Sequence, residues 1–291
     1  MSIEHLPLEV KPLVNEHCAT GENPYWNPND GCVYWTDIPN GKIFRFDPAT
    51  GQHQKIYEDV PVGGFTLQDD GNWLLFRVND IAHMTPDGVV TPGRDYTDDG
   101  MERFNDVIAD PAGRVYAGTI GTSRESGGLY RVDLDGTVTK LFAGTGCSNG
   151  MGFTPDRQHF YWTCSTTKRI LRFAYNQGTG ELSESTPFFV ATENDKTPDG
   201  LAVDREGTIW SARYGGHGIV RHDANSGAPT GKIEMPVPNI TSLFFGGAQR
   251  DIMYVTTAGG KAGSDTADGT LYQIAAPVAG QQEFVSRVRF A

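Results

Sequence analysis

A unit that recurs six times is the feature of this sequence that most restricts its fold. Each unit combines a short strand of small residues, a tight turn, an aromatic-rich strand and a strand with an (F/Y)R-type pattern. The units begin 41 to 50 residues apart, at Glu22, Gly63, Asn105, Asn149, Asp199 and Thr241. A period of this length with several strands per unit is typical of propeller blades. The sequence therefore predicts one all-β domain over residues 1–291, a six-bladed β-propeller with four-stranded blades around a central channel.

Local patterns also favour short strands over helices. The chain contains 36 glycines and 17 prolines, and triplets such as NDG at 29–31 suit tight hairpin turns. Apolar and polar residues alternate at 42–46, as strands require, and no amphipathic helical run exceeds about two turns. We expect Leu8–Val14 to add the outer strand of the last blade, which closes the ring, and Lys261–Asp268 to form a surface loop.

Charge and hydropathy restrict the partners and the location. The chain carries 24 basic and 36 acidic residues, a formal net charge of −12, which argues against nucleic acid as a partner. The N-terminus lacks the pattern of a secretory signal, and no apolar run approaches the roughly 18 residues of a membrane span. We expect a cytoplasmic protein without a membrane partner, as a monomer or a weak homo-oligomer.

Several common catalytic motifs are missing from the sequence. It contains no GxSxG nucleophile elbow, no GxGxxG or GxxxxGK[ST] phosphate loop and no HExxH zinc motif. The four cysteines are widely spaced and are interpreted as free thiols, with Cys147 as an inert thiol because no histidine is in register with it. His217 lies in a YGGHG segment, and we leave open whether it lines a substrate pocket or is an ordinary loop residue.

The start of each unit is the place where a binding site is expected. The innermost strand of each propeller blade lines the central channel, so residues at equivalent strand starts converge near one opening. In this register the chain has two carboxylates, two carboxamides and a hydroxyl, on Glu22, Asp199, Asn105, Asn149 and Thr241. Carboxylate and amide oxygens are hard ligands that suit a divalent cation. The alternative is that these side chains cap turns at strand ends.

A set of longer motifs carries a family resemblance across nearly the whole chain. The matching stretches are GENPYW (21–26), YWTDIPNGKIFRFDP (34–48), ERFNDVIADPAGRVYAGT (102–119), CSNGMGFTPD (147–156), TPDGLAVDREGTIWSA (197–212) and VTTAGG (255–260). In these stretches the chain resembles the family of gluconolactonase, regucalcin (senescence marker protein) and luciferin-regenerating enzyme. The resemblance implies a six-bladed propeller with one divalent cation in the central channel.

The resemblance also assigns roles to individual residues. Glu22, Asn149 and Asp199 match the metal ligands of the family, and Asp199 also matches its proposed general base. Arg103 and Asn105 match its substrate-contacting pair. Calcium is the first candidate for the cation, and zinc, manganese, magnesium or ferrous iron also suit such a site.

Two positions depart from the family pattern. Asn23 stands where the family more often has glycine, and a changed pocket wall is expected there. Cys164 stands where an acidic residue is common in blade four.

These observations lead to a functional hypothesis. We expect a metal-dependent hydrolase that opens a small lactone, a sugar (aldono-)lactone first, to its hydroxy acid, because a bound cation can stabilise the oxyanion formed during ester hydrolysis. The alternatives are a phosphotriesterase-like or other ester or lactone hydrolase using the same site, and a calcium-binding regulatory propeller without turnover.

Overall fold

The structure, a computed structural model, describes residues 3–290 and contains strands but no helix in that range. Six sheets surround a central channel, and the innermost strand of each sheet contacts the innermost strands of the two neighbouring sheets. The predicted six-bladed β-propeller with four-stranded blades is confirmed. No helix of residues 3–290 has the length and hydropathy needed to cross a membrane.

The strands follow one another in the order of the sequence repeat. Two strands precede the first blade: β1 (Glu4–His5) and β2 (Val10–Asn15). Blades one to three contain β3 (Gly21–Asn27), β4 (Cys32–Asp37), β5 (Lys42–Asp47), β6 (Gln52–Glu58); β7 (Gly64–Leu67), β8 (Trp73–Phe76), β9 (Asp80–Met84), β10 (Val90–Asp95); β11 (Met101–Ala109), β12 (Val115–Gly121), β13 (Gly127–Val132) and β14 (Val138–Thr145). Blades four to six contain β15 (Ser148–Phe153), β16 (His159–Cys164), β17 (Arg169–Asn176), β18 (Glu181–Val190); β19 (Thr197–Val203), β20 (Ile209–Tyr214), β21 (Gly218–His222), β22 (Pro229–Glu234); β23 (Ile240–Gly246), β24 (Ile252–Thr257) and β25 (Thr270–Ala275).

The N-terminal segment closes the ring, as predicted. Strand β2 pairs antiparallel with β25 and supplies the fourth, outermost strand of blade six. It begins two residues later than the predicted segment and ends one residue later. Strand β1 adds a short fifth strand, parallel to β22, at the edge of blade five. The residues at 261–268 lie outside the strands as an exposed loop between β24 and β25.

The hydrophobic core lies between neighbouring blades and not inside any single one. Trp73 of blade two is fully buried, and the rings of Tyr34 and Tyr25 of blade one lie 4.5 and 5.5 Å from its ring centre. Each blade is one twisted sheet, so it buries its apolar faces only against its neighbours. This packing fixes the six inner strands relative to one another.

The inner strands give the propeller two distinct faces. We call the face where these strands begin the upper face and the face where they end the lower face. A strand of six or seven residues spans about 20 Å, which is the distance between the two faces. A C-terminal tail (276–290) crosses the lower face: Gly280 bridges to Asp204 of blade five, and Ser286 bridges to Gln68 of blade two.

Candidate functional site

The starts of the inner strands surround a cavity at the upper face. It has a volume of about 270 Å³. The five residues predicted as ligands or substrate contacts all line it: Glu22, Arg103, Asn105, Asn149 and Asp199. Its other lining residues are Thr20, Ile38, Ile120, Cys147, Ser165, Thr197, Tyr214 and Thr241. The convergence predicted from the repeat register is therefore present in the fold.

Breaks in strand pairing occur where these residues lie. The registers of five inner strands shift between Glu22 and Tyr25, Phe104 and Val107, Asn149 and Met151, Pro198 and Leu201, and Ile240 and Ser242. The inner strand of blade two pairs without a shift and contributes no residue to the cavity. A β-bulge bends a strand and re-aims its side chains, so the bulges direct these side chains into the channel mouth.

Two glycines of the predicted motifs let neighbouring inner strands approach closely. A Cβ atom on Gly150, the residue after Asn149, would lie 2.6 Å from the carbonyl oxygen of Asp199. A Cβ atom on Gly200, the residue after Asp199, would lie 2.7 Å from the Cα atom of Ser242. Both separations are too short for a real side chain, and glycine is required where two backbones pass this closely. The SNG and PDG motifs therefore bring blades four, five and six together directly below the cavity.

The two carboxylates of the cavity are buried. Glu22 is 6% and Asp199 is 7% exposed, and neither forms an ion pair within residues 3–290. Burial, followed by the charges of Asp199 and Asp106, raises the pKa of Glu22 well above its usual value. Burial and the charge of Asp106 likewise raise the pKa of Asp199. A nearby cation would relieve this repulsion and desolvation.

The donor set fits a divalent cation. Asp199 Oδ1 is buried and has no hydrogen-bond partner among the described residues. Glu22 Oε2 accepts a hydrogen bond only from the Asn23 amide, at 3.0 Å. Two carboxylates and an amide provide the hard oxygens that calcium and magnesium prefer. Nowhere in residues 3–290 do three His, Cys, Asp or Glu side chains form a metal cluster, so a cation site here would have to include an amide such as that of Asn149.

A hydrogen-bonded chain links the predicted substrate residues to the predicted ligands. Arg103 Nη1 donates to Asn105 Oδ1 at 2.7 Å, and Asn105 Nδ2 donates to Asn149 Oδ1 at 2.7 Å. Asn105 Nδ2 also donates to the Ser148 carbonyl, and Asn149 Nδ2 donates to Ser165 Oγ. Both N–H groups of Asn105 are therefore engaged with protein, and Asn105 holds Asn149 in place. Its predicted contact with substrate stays a prediction.

The other residues considered in the sequence contact the protein itself or lie away from the cavity. Thr241 Oγ1 donates to the Gly21 carbonyl at 2.6 Å, so its hydroxyl stabilises the backbone. Burial, with the nearby Asp199 charge as a smaller cause, raises the pKa of Cys147 to about 12, which keeps it a protonated thiol and supports its interpretation as inert. Cys164 is buried with its sulfur 3.0 Å from Thr145 Oγ1. His217 adopts a left-handed turn (φ 50°) and does not line the cavity.

The family departure at Asn23 has a local explanation. Asn23 has φ 48°, a left-handed conformation in which glycine is favoured and asparagine is tolerated. Its side chain accepts a hydrogen bond from the Phe65 amide of blade two and lines the channel below the cavity. The change expected in the pocket wall is therefore not seen in the upper cavity, and Asn23 instead joins blades one and two.

Sequence reasoning did not assign several of the residues that shape the cavity to the site, although it considered Tyr214 as a packing residue near a strand end. Ser165 donates to the Pro198 carbonyl at 2.7 Å and accepts from Asn149, so it orients one of the predicted ligands. Ile38, Ile120 and Tyr214 form apolar walls, and the Tyr214 side chain is 44% exposed. All four follow the second strands of their blades or lie at the ends of these strands. The repeat register selects only residues at the starts of the inner strands, so it does not predict these positions. The hydrophobic set would suit one face of a small ring.

Comparison with known proteins identifies the family. Residues 20–259 match the model described as "SMP-30/Gluconolactonase/LRE-like region". The pentonolactonase XacC of Haloferax volcanii is 39% identical over 97% of this chain and 99% of its own length, and human regucalcin is 31% identical over 86% and 87%. A crystal structure described as a calcium-binding protein, regucalcin, from Agrobacterium tumefaciens superposes with a TM-score of 0.91 at 25% identity, covering 99% of this chain and 100% of that one. The resemblance seen in the sequence is confirmed, and the chain belongs to the SMP-30/gluconolactonase/LRE-like family.

Proposed function

We propose that this protein is a metal-dependent lactonase that opens an aldonolactone to the corresponding hydroxy acid. The observation that carries the proposal is the convergence of Glu22, Asn149 and Asp199 beside Arg103 in one small cavity. A pure cation store needs only the ligands, whereas a hydrolase also needs a group that binds the substrate. Arg103 meets that second requirement.

The relatives favour a sugar lactone with five carbons as the first candidate. The Haloferax volcanii relative is named a pentonolactonase, and its similarity extends over nearly the full length of both chains. The cavity of about 270 Å³ is of the size that a small polyol ring needs. We therefore place xylono- and arabinonolactone ahead of gluconolactone as substrates.

Glu22, Asn149 and Asp199 would hold the cation. When bound, it would supply Lewis-acid stabilisation of the negative charge that develops on the lactone carbonyl oxygen. Calcium is our first candidate because the donors are all oxygen and because the regucalcin structure is described as calcium-binding. Zinc, manganese, magnesium and ferrous iron are the candidates to compare with it.

The remaining steps are assigned to the chain's own side chains. Asp199 is our candidate general base: one carboxylate oxygen would contact the cation while the carboxylate accepts a proton from the attacking water. Arg103 uses Nη1 for the Phe104 carbonyl and for Asn105, which leaves Nε and Nη2 to bind a substrate hydroxyl or the new carboxylate. Asn105 and Ser165 keep Asn149 oriented during turnover. The apolar walls would contact the ring.

The test is a proton-release assay on a panel of xylono-, arabinono- and gluconolactone. Metal-stripped protein is compared with protein reloaded with each of the five cations. An Asp199→Asn variant and an Asp135→Asn variant, which alters an exposed carboxylate in a turn of blade three, are assayed alongside. We expect metal-dependent turnover that is lost in the Asp199 variant and kept in the Asp135 variant.

Three outcomes would overturn the proposal in different ways. Turnover that is equally fast in stripped protein would remove the metal from the mechanism. Tight calcium binding without turnover of any lactone would favour a regulatory calcium-binding propeller, and turnover of other esters alone would favour a different hydrolase.

A further inference from the structure

A second, larger pocket lies on the lower face, against the C-terminal tail. It has a volume of about 680 Å³, and four arginines line it: Arg157, Arg205, Arg250 and Arg287. The other lining residues are the tail segment 279–285 and Pro111, Pro155 and Gln249. We call this set the arginine pocket. Its arginines come from three different blades and from the tail, so the folded ring is needed to assemble it.

The charge of the arginine pocket is opposite to that of the whole chain. The protein has a net charge of −12, yet none of these four guanidinium groups lies within 4.0 Å of a carboxylate among residues 3–290. Two acidic neighbours in sequence are engaged elsewhere, whereas Glu206 and Asp251 are exposed and do not line the pocket. Asp156 accepts from Thr154 and the Gln158 amide, and Asp204 accepts from Trp210 and from two turn amides. The four guanidinium groups therefore have no close carboxylate partner within residues 3–290 and remain available to an anion.

One carboxyl group also lines this pocket. Glu283 of the tail lies between the arginine pocket and a cavity of about 40 Å³ in the lower channel, which it shares with Asp106. Burial and the Asp106 charge raise its pKa to about 7, so near neutral pH it is only partly ionised. Four arginines against one such carboxyl leave the pocket strongly cationic.

Two of the arginines occupy a turn position that favours glycine. In five blades the turn after the inner strand closes with an amide that donates to the carbonyl three residues earlier, and the donating residue has a left-handed φ. This residue is glycine in three blades, Gly71, Gly113 and Gly207, and arginine in two, Arg157 and Arg250, each with φ 57°. Arginine in this conformation carries a steric cost that glycine avoids. Both exceptions line the arginine pocket, and local strain of this kind is concentrated at functional sites.

The tail holds part of the pocket in a fixed arrangement. The Arg157 guanidinium lies over the Phe284 ring, 5.2 Å from its centre, and Arg250 Nη2 donates to Gln282 Oε1 at 3.0 Å. The tail is itself anchored, because Gln281 Nε2 donates to the Phe153 carbonyl at 3.0 Å. Side chains that are positioned in advance lose less conformational entropy when a ligand binds.

We propose that the arginine pocket is a binding site for a small organic anion that carries carboxylate or phosphate groups. Guanidinium groups present planar pairs of donors that match both of these anions. A pocket of this volume suits a metabolite-sized ligand. An extended polyanion such as nucleic acid is disfavoured because the surface beyond the pocket is acidic overall. The site is separate from the upper cavity, so the proposal is independent of the lactonase activity.

The test is calorimetric titration of the intact protein with inorganic phosphate and, separately, with succinate, at low ionic strength. We expect at least one of these probes to bind with a Kd below about 1 mM, and more weakly as salt is added. Metal-stripped and metal-loaded protein should give the same result, because the upper cavity is not involved. The probe that binds more tightly identifies phosphate or carboxylate as the preferred group.

Two double variants separate binding from stability. Arg157→Gly/Arg250→Gly removes two guanidinium groups, so we expect binding to weaken by at least about tenfold, the effect of losing one good contact. The turns gain the residue that their backbone favours, so we expect an unchanged or higher Tm. Arg205→Gln/Arg287→Gln should weaken binding without touching the turns. The matched control, Arg94→Gln/Arg169→Gln, removes two exposed arginines elsewhere and should bind as the wild type does.

Several results would overturn the proposal. Among them are the absence of binding up to about 10 mM of either probe, equal binding by the pocket and control variants, and capture of an acidic peptide without binding of either small anion. A lower Tm in the glycine variant together with unchanged binding would show that Arg157 and Arg250 are structural.

Discussion

The two ends of the central channel are built in opposite ways. At the upper end, bulged strand starts direct buried carboxylates and amides into a cavity of about 270 Å³. At the lower end, turns and the C-terminal tail hold arginines around an exposed pocket of about 680 Å³. Strand starts are fixed by the packing of neighbouring blades, whereas turn residues vary without disturbing the sheets. The inner strands of the ring therefore carry the acidic and amide side chains, and the turns and tail carry the arginines.

The largest effect should separate two glutamates of the channel, one at each end. We expect Glu22→Gln to lower lactonase kcat/KM by about 100- to 1000-fold, as is common when a group that organises charge stabilisation is removed. Glu283→Gln should leave kcat/KM within about threefold, because Glu283 lies outside the upper cavity. Steady-state kinetics and calcium titration of both variants make the comparison. Equal losses in the two variants would mean that the whole channel acts as one site.

A second comparison concerns arginine geometry. Arg103→Lys should lower kcat/KM by roughly 10- to 100-fold, the cost of about 1.5–3 kcal/mol for a lost charged hydrogen bond, because lysine lacks the planar fork. Arg205→Lys on the lower face should change it by less than about twofold. Full activity in Arg103→Lys would show that only a positive charge is needed at this position.

Glycines at the two ends should differ in their effect on stability. Gly200→Ala places a Cβ atom against Ser242 of the next blade, so we expect a loss of about 1–3 kcal/mol in the free energy of unfolding. At Gly71 no atom lies within 4 Å of an added Cβ, and the left-handed φ of 85° alone should cost about 1 kcal/mol. Urea unfolding measures both. A greater loss at Gly71 would contradict the close approach of blades five and six.

The smallest effect concerns the pH dependence of stability. The pKa of Glu283 is raised from 4.5 to about 7, by burial first and by Asp106 second. The folded state therefore holds this proton more tightly than the unfolded state, and stability falls as the pH rises from 4.5 through 7. Glu283→Gln cannot titrate, so it should be more stable than the wild type at pH 8, by about 1–2 kcal/mol after a reduction for solvent screening. At pH 4.5 the two should unfold alike, and a difference that persists there would rule out this origin.

Much of the architecture was predictable because it depends on local patterns. Turn residues and alternation specify each hairpin, and the repeat period specifies the number of blades. The register of the units also predicted that Glu22, Asn105, Asn149, Asp199 and Thr241 meet at one opening, because equivalent positions of a repeat occupy equivalent positions in the ring. The inner strands begin within two residues of the predicted unit starts, except β11, which begins at Met101, four residues before Asn105.

Only the tertiary structure decided which hydrogen-bond partners these residues have. The contact of Asn105 with Asn149 joins residues 44 apart in sequence, and the bond from Thr241 to the Gly21 carbonyl joins residues 220 apart. The arginine pocket likewise forms only where three turns meet the tail. The sequence by itself determined the blades and the set of residues at the upper mouth, because a repeat is encoded locally. Hydrogen bonds between blades depend on the closed ring. They decided which polar side-chain atoms bond to the protein and which remain available to a ligand.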